Sequence, residues 1–190
     1  MKKKIGILGG TFDPPHIGHL IIANEVLHHE KLDEIWFMPN QEPPHKIKTG
    51  TVSNENRLQM LKLAIKGHSQ FQIQPIELMR KGKSYTYETM KILKEAHPDL
   101  AFHFIIGADM VEYLPKWYKI EELIQMVQFI SVNRPDYKLE TDYAIRYVEV
   151  PSVHISSNLI RNRLKNGETI QYLVKEEVKS YIEENHLYET

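Results

Sequence analysis

Lys4-Ile5-Gly6-Ile7-Leu8-Gly9-Gly10-Thr11-Phe12-Asp13-Pro14-Pro15-His16-Ile17-Gly18-His19-Leu20 is the stretch whose reading decides the fold of this chain. Its first five residues form a short apolar run, the signature of a buried strand. Leu20, Ala23 and Leu27 then fall on one face of a helix. A glycine pair and two histidines lie between strand and helix, a combination suited to holding a polyphosphate. Glycines let backbone N–H groups come close to an anion. A helix N-terminus adds free N–H donors and the positive end of a dipole. His16 and His19 are three residues apart across a helix start, so both rings can lean toward one ligand.

Working outward, strands and helices alternate. Residues 4–8 read as a strand and 18–29 as a helix. Residues 34–38 form a second strand ended by Pro39, followed by a polar loop over 40–52. A helix over 54–66 places Leu58, Leu61 and Ile65 on one face, and 71–74 alternate as a short strand. A further helix opens near Thr86, a candidate N-cap, and stops by Pro98. Residues 100–106 are a strand ending at Gly107, and 109–127 read as helical with an interruption at Pro115. Residues 128–132 and 147–150 are the last strands. Ser156 caps a helix that ends before Gly167, and an amphipathic helix covers about 175–185. This alternation predicts an α/β fold, a parallel sheet with helices on both faces. Such sheets bind ligands beyond the C-terminal ends of their strands. Residues 9–19, 39–46, 107–109 and 133–134 all follow strands, so every candidate site falls on one rim.

Bulk properties narrow the function classes. At 190 residues, the expectation is a single domain over 1–190 with a small helical C-terminal part over 156–190. No apolar stretch approaches the roughly 18 residues that a membrane span needs. The basic start, Met1-Lys2-Lys3-Lys4, runs straight into a strand, unlike a secretory signal. The absence of cysteine excludes disulfides and thiolate chemistry, and fits a cytoplasmic protein. A net charge of −1 is no nucleic-acid footprint, so the expectation is no nucleic-acid or membrane partner.

The string Gly9–Leu20, with His-Ile-Gly-His at 16–19, resembles the nucleotidyltransferase superfamily that carries an HxGH signature, and within it the bacterial nicotinate-nucleotide adenylyltransferases. Three later segments carry the same resemblance: Pro43-Pro44-His45-Lys46; Ile105-Ile106-Gly107-Ala108-Asp109 with Lys116-Trp117-Tyr118; and Ile155-Ser156-Ser157-Asn158-Leu159-Ile160-Arg161. Together they span nearly the whole chain in order. The resemblance implies a Rossmann-like nucleotidyltransferase fold. It also implies adenylyl transfer from ATP to nicotinate mononucleotide, giving nicotinate adenine dinucleotide and pyrophosphate, a step in NAD biosynthesis. Mg²⁺ is expected with ATP, held mainly by its phosphates rather than by protein ligands, and a homodimer is the candidate assembly.

Each candidate residue also has a plainer role. Gly9 and Gly10 could be a tight turn alone, and they do not make the GxGxxG dinucleotide fingerprint. His16 and His19 could be ordinary histidines, or zinc ligands with Asp13, although that pattern is weak. As a phosphate clamp, their N–H donors stabilise charge that shifts around the α-phosphorus. The family reading makes His16, His19, Lys46 and Arg161 catalytic. ATP contacts are assigned to Gly9, Gly10, Thr11, Phe12, His16, His19, Gly107, Asp109, Arg134, Ser156, Ser157 and Arg161. Ser156 could equally be only an N-cap, and so could Asp109. The pyridine nucleotide is assigned to Asn40, His45, Lys46, Tyr85, Thr86, Trp117 and Tyr118. A tryptophan is more often core than platform, but Trp117 lies in a proline-broken loop between Lys116 and Lys119. Asn158 stands where the family string has threonine, so no threonine hydroxyl is expected there.

Other classes stay open at this point: transfer to nicotinamide mononucleotide or phosphopantetheine, a non-catalytic nucleotide sensor, and a His/Asp metal hydrolase. A histidine rather than threonine at 16 disfavours the phosphopantetheine substrate. The absence of a KMSKS-like string disfavours an aminoacyl-tRNA synthetase.

Overall fold

Six strands run parallel in one sheet: β1 (Lys3–Gly10), β2 (Glu34–Pro39), β3 (Phe71–Ile73), β4 (Leu100–Gly107), β5 (Gln128–Asn133) and β6 (Ile145–Glu149). The computed structural model describes residues 2–41, 52–80, 85–133 and 141–189. The strand order is β3-β2-β1-β4-β5-β6. The direction of winding therefore reverses between β1 and β4. That switch point opens a crevice at the C-terminal ends of the two strands, the place where doubly wound sheets bind nucleotides.

Alternation along the central strands sends side chains to two cores. Ile5, Ile7, Phe102, Phe104 and Ile106 face one side, where Met90, Leu93, Leu114 and Leu123 cover them. Leu8 and Ile105 face the other, against Ala23, Val26, Leu27 and Leu61. Fully burying a side chain of this size contributes about 1.5–3 kcal/mol. Helices thus lie on both faces, as the alternating sequence predicts. They are α1 (Ile17–His29) and α2 (Asn54–Ile65) on the second face, and α4 (Thr86–Ala96) and α6 (Ile120–Met126) on the first. A third cluster joins α2 to the C-terminal helices α7 (Ser157–Lys165) and α8 (Glu176–Glu184), through Met60, Ala64, Ile160, Val178, Ile182 and Tyr188.

The structure departs from the sequence expectations at four places. The segment 109–127 is not one interrupted helix. It is α5 (Ala108–Val111), a 3₁₀ turn at Leu114–Lys116 and then α6. Pro115 has no N–H to continue a helix, and α6 restarts only after Lys119 takes a left-handed φ of 51°. The short helix α3 (Ile76–Met79) is too brief to leave a periodic signal. Tyr85, not Thr86, is the N-cap of α4, and its side chain makes no cap hydrogen bond. The buried face of α2 is Arg57, Met60, Leu61 and Ala64 rather than Leu58, Leu61 and Ile65, because α2 is shared between the sheet and the C-terminal helices. Ser156 does cap α7, accepting from Leu159 N at 3.1 Å. Among the described residues, no helix is long and apolar enough to cross a membrane.

Candidate active site

The segment between β1 and α1 holds the two histidines face to face. Their rings stack at 3.7 Å between centroids with planes 26° apart. Phe12 closes the far side, edge-on to His19 at 5.0 Å. Gly18 makes the stack possible. A Cβ there would stand 3.1 Å from His16 Nδ1, tighter than side chains normally accept. The His16 N–H donates to His19 Nδ1 at 3.2 Å. In a neutral imidazole the proton of His19 must then sit on Nε2, which is left as a donor. His16 is 8% exposed, and its Nδ1 is buried with no hydrogen-bond partner among the described residues. Burial pushes His16 down to about 4. Burial, then the neighbouring His16, holds His19 well below the ordinary histidine value. Both rings are therefore neutral donors near pH 7.

Several distant elements hold the loop that carries these rings. Arg57 of α2 donates to the Thr11 carbonyl at 2.7 Å and to Asn54 Oδ1 at 2.7 Å. From α7, Arg161 donates to the Asp13 carbonyl at 2.7 Å, and the Ser157 hydroxyl donates to the Pro14 carbonyl at 2.8 Å. The Ile17 N–H reaches the Leu173 carbonyl at 2.9 Å. Charge-assisted hydrogen bonds of this kind are among the stronger ones in proteins. The α7 N-terminus thus lies against the start of α1.

Beside the clamp, a cavity of about 570 Å³ opens over the switch point. Gly9, Gly10 and Thr11 form its edge toward the histidines, and Phe104, Ile106 and Met110 line its apolar wall. Asn40, Tyr85, Thr86, Gly107, Trp117 and Tyr118 also line it. Tyr85 and Tyr118 lie 5.1 Å apart, and Tyr118 is 46% exposed. Trp117 stands edge-on to both Phe104 and Phe129 at 6.0 Å, with its indole nitrogen buried and unpartnered. Trp117 is therefore part of the core packing and part of the cavity wall at once. Asn40 brings to the same cavity a buried side-chain oxygen that has no partner among the described residues. A buried polar atom without a partner is costly, so both atoms are candidates for ligand contacts.

The structure thus gathers most of the candidate residues into two adjoining groups, the clamp and the cavity. Three stand apart in detail. Phe12 is buried, its ring held between Phe37 and His19. Asp109 is exposed in the first turn of α5 and leans over Gly107, where a Cβ would come within 2.5 Å of Asp109 Oδ1. Gly107, not Asp109, is the N-cap of α5. Ser156 is an exposed N-cap. His45, Lys46 and Arg134 lie outside the described residues. No sequence pattern points to Arg57, nor to the buried Glu77, which lines the cavity and accepts from Thr89 Oγ1 at 2.9 Å. Neither carries a local spacing signal; Arg57 is defined by its reach from α2 to the Thr11 carbonyl, and Glu77 by its contact with Thr89 of α4.

A doubly wound sheet with a nucleotide-sized cavity beside a two-histidine clamp describes a nucleotidyltransferase, and the cytidylyltransferase-like family model matches residues 7–163. Over 188 residues the chain is 56% identical to a Bacillus licheniformis protein named "Probable nicotinate-nucleotide adenylyltransferase", covering 99% of this chain and 100% of that one. A Geobacillus thermodenitrificans protein of the same name is 58% identical over 185 residues, covering 97% of this chain and 86% of that one. The chain belongs to this nicotinate-nucleotide adenylyltransferase family. Its fold also matches a Plasmodium falciparum nicotinic acid mononucleotide adenylyltransferase complexed with NaAD. There the TM-score is 0.80 at 23% identity, with 98% of this chain and 97% of that one covered.

Proposed function

We infer that this protein transfers the adenylyl group of ATP to nicotinate mononucleotide, releasing pyrophosphate and forming nicotinate adenine dinucleotide for NAD biosynthesis. The observation that carries the reading is the neutral His16–His19 stack at the start of α1, one loop away from a cavity edged by Gly9, Gly10 and Thr11. The mononucleotide phosphate attacks the α-phosphorus of ATP in line. A new P–O bond forms, the bond from the α-phosphorus to the bridging oxygen breaks, and that electron pair leaves with pyrophosphate. The second pKa of a phosphate monoester is about 6, so the nucleophile is already anionic and no strong general base is required. Positioning and electrostatics do the rest.

In this reading His16 and His19 donate to oxygens around the α-phosphorus, where negative charge grows in the transition state. The backbone of Gly9, Gly10, Thr11 and Phe12 and the α7 start at Ser156, Ser157 and Arg161 hold the triphosphate. Gly107, Asp109 and Arg134 take the adenosine side. Asn40, His45 and Lys46 hold the mononucleotide phosphate, and Tyr85, Thr86, Trp117 and Tyr118 enclose the pyridine ring by stacking and backbone donors. The clamp is a set of imidazole, guanidinium and hydroxyl donors, which suits a triphosphate that brings its own cation. Mg²⁺ bound to the ATP phosphates supplies charge neutralisation for the leaving pyrophosphate. One nucleotidyltransferase domain over 1–190, with a helical C-terminal subregion over 156–190, completes the proposal. So do a cytoplasmic location, a homodimer, and neither nucleic-acid nor membrane partners.

The test is pyrophosphate release from ATP and Mg²⁺ with a panel of mononucleotides. Nicotinate mononucleotide should give the highest kcat/KM. No release with any pyridine mononucleotide would overturn the assignment, and a preference for nicotinamide mononucleotide would correct the acceptor.

A further inference from the structure

We propose that Tyr188 is a positioning residue for the histidine clamp, its hydroxyl fixing the buried Asp13 and through it the loop that presents His16. The proposal rests on the adenylyltransferase reading. After α8 the backbone turns back on itself, with His186 at φ 49° and Tyr188 at φ 68°. Non-glycine residues adopt this left-handed conformation only at a cost, so other interactions must hold it. Leu187 N donates to the Ile182 carbonyl at 3.0 Å, and the bend sends the Tyr188 ring inward, where it is 5% exposed. Its hydroxyl donates to Asp13 Oδ1 and lies 4.0 Å from Met60 Sδ.

Asp13 lies three residues before His16 and is fully buried. Its other carboxylate oxygen, Oδ2, has no hydrogen-bond partner among the described residues. The Tyr188 hydroxyl is therefore the donor that the carboxylate depends on, while Arg57 acts on it as a nearby positive charge. The backbone of the same loop is held at Thr11, Asp13 and Pro14 by Arg57, Arg161 and Ser157. Those contacts fix the path of the chain. Among the described residues, the Tyr188 hydroxyl is the hydrogen-bond donor to the Asp13 side chain. A carboxylate deprived of its donor in a buried site must move toward another donor or toward water, and His16 lies one turn of loop away. A clamp that acts mainly on the transition state loses turnover, not substrate affinity, when its donors shift. The cavity wall built by Tyr85, Trp117 and Tyr118 is untouched by such a shift.

Tyr188→Phe removes the hydroxyl and keeps the ring packing. In protein shown to be folded by circular dichroism at the assay temperature, kcat should fall about tenfold or more, with KM for both nucleotides within about twofold. The imidazole ¹⁵N resonances of His16 and His19, assigned by their loss in His→Asn variants, should shift in the same protein. If Tyr188→Phe does not fold, the hydroxyl is removed in an Asp13→Asn background, where a neutral amide is easier to leave without a donor. A further fivefold loss of kcat relative to Asp13→Asn alone then supports the proposal. Unchanged kcat together with unmoved histidine resonances, in either background, would overturn it. Wild-type protein that releases no pyrophosphate would instead strike at the adenylyltransferase reading; the histidine resonances would still test the link from Tyr188 to the clamp.

Discussion

The two halves of the site are built by opposite means. The histidine end is polar, tightly enclosed and tied down from α2 and α7 by hydrogen bonds of 2.7–2.8 Å to the loop backbone, and from the segment after α8 by the Tyr188 hydroxyl on the Asp13 side chain. The ring end is aromatic and partly exposed. Its contacts are edge-on or tilted rings 5–6 Å apart on a chain broken by Pro115. Transition-state charge is stabilised only where donors are held to a fraction of an ångström. Recognition of a flat ring tolerates looser placement. On the proposed reading, the contrast separates chemistry on one side of Gly10 from acceptor recognition on the other.

Removing a clamp donor should break this division most visibly. His19→Ala is expected to lower kcat by about 10²–10³ while the melting temperature changes by only a few degrees. Stopped or coupled pyrophosphate assays read the first, and a thermal melt the second. Near-normal turnover would mean that the stacked pair has no part in the chemistry.

The enclosure of the same pair should also show as acid sensitivity. An unfolded histidine takes its proton near 6.5, whereas buried His16 does so only at about 4. Between those values the unfolded chain binds more protons, so stability falls as pH drops through the window and levels off below it. His16 contributes at most about 3 kcal/mol to this loss, at 1.36 kcal/mol per unit. Urea titrations from pH 7 to 4 should show it, and His16→Gln should flatten the slope. An equal slope in that variant would assign the acid loss elsewhere.

Arg161→Ala should blur the two halves moderately, since this guanidinium holds the Asp13 carbonyl and lies where the triphosphate is proposed to bind. A tenfold to hundredfold fall in kcat/KM for ATP is expected, on the scale of about 1.5–3 kcal/mol for a hydrogen bond to a charged group. Varying each substrate in turn should show a smaller change for the mononucleotide. At the ring end, Trp117→Ala should raise KM for nicotinate mononucleotide about tenfold and leave that for ATP nearly unchanged, given stacking worth about 1–3 kcal/mol. Equal effects on both substrates would show that its packing on Phe104 and Phe129 is its main role.

Much of this organisation was legible in the chain. The strand ahead of Gly9, the histidine spacing and the Ser156 cap are local signals, written within a few residues of where they act. The sheet followed from strand–helix alternation, and the common rim followed from the sheet. What was not legible depends on contacts between distant segments. Arg57 sits on a helix face that the apolar pattern alone would rotate toward Leu58 and Ile65. Asp13 reads as a weak metal ligand until Tyr188, 175 residues away, is seen to donate to it. The pieces of 108–126 depend on how Pro115 and the left-handed Lys119 are absorbed by the fold, which spacing does not encode.

The neutrality of the stacked imidazoles has a consequence for competition inside a cell. Two uncharged rings offer direction but no net attraction, so inorganic phosphate gains little by approaching them. On the proposed reading, a triphosphate anchored along its length by the glycine turn and the α7 start would bring its charge to the rings already aligned. In that role the histidine pair would discriminate by geometry against the abundant small anions that a fixed positive charge would collect.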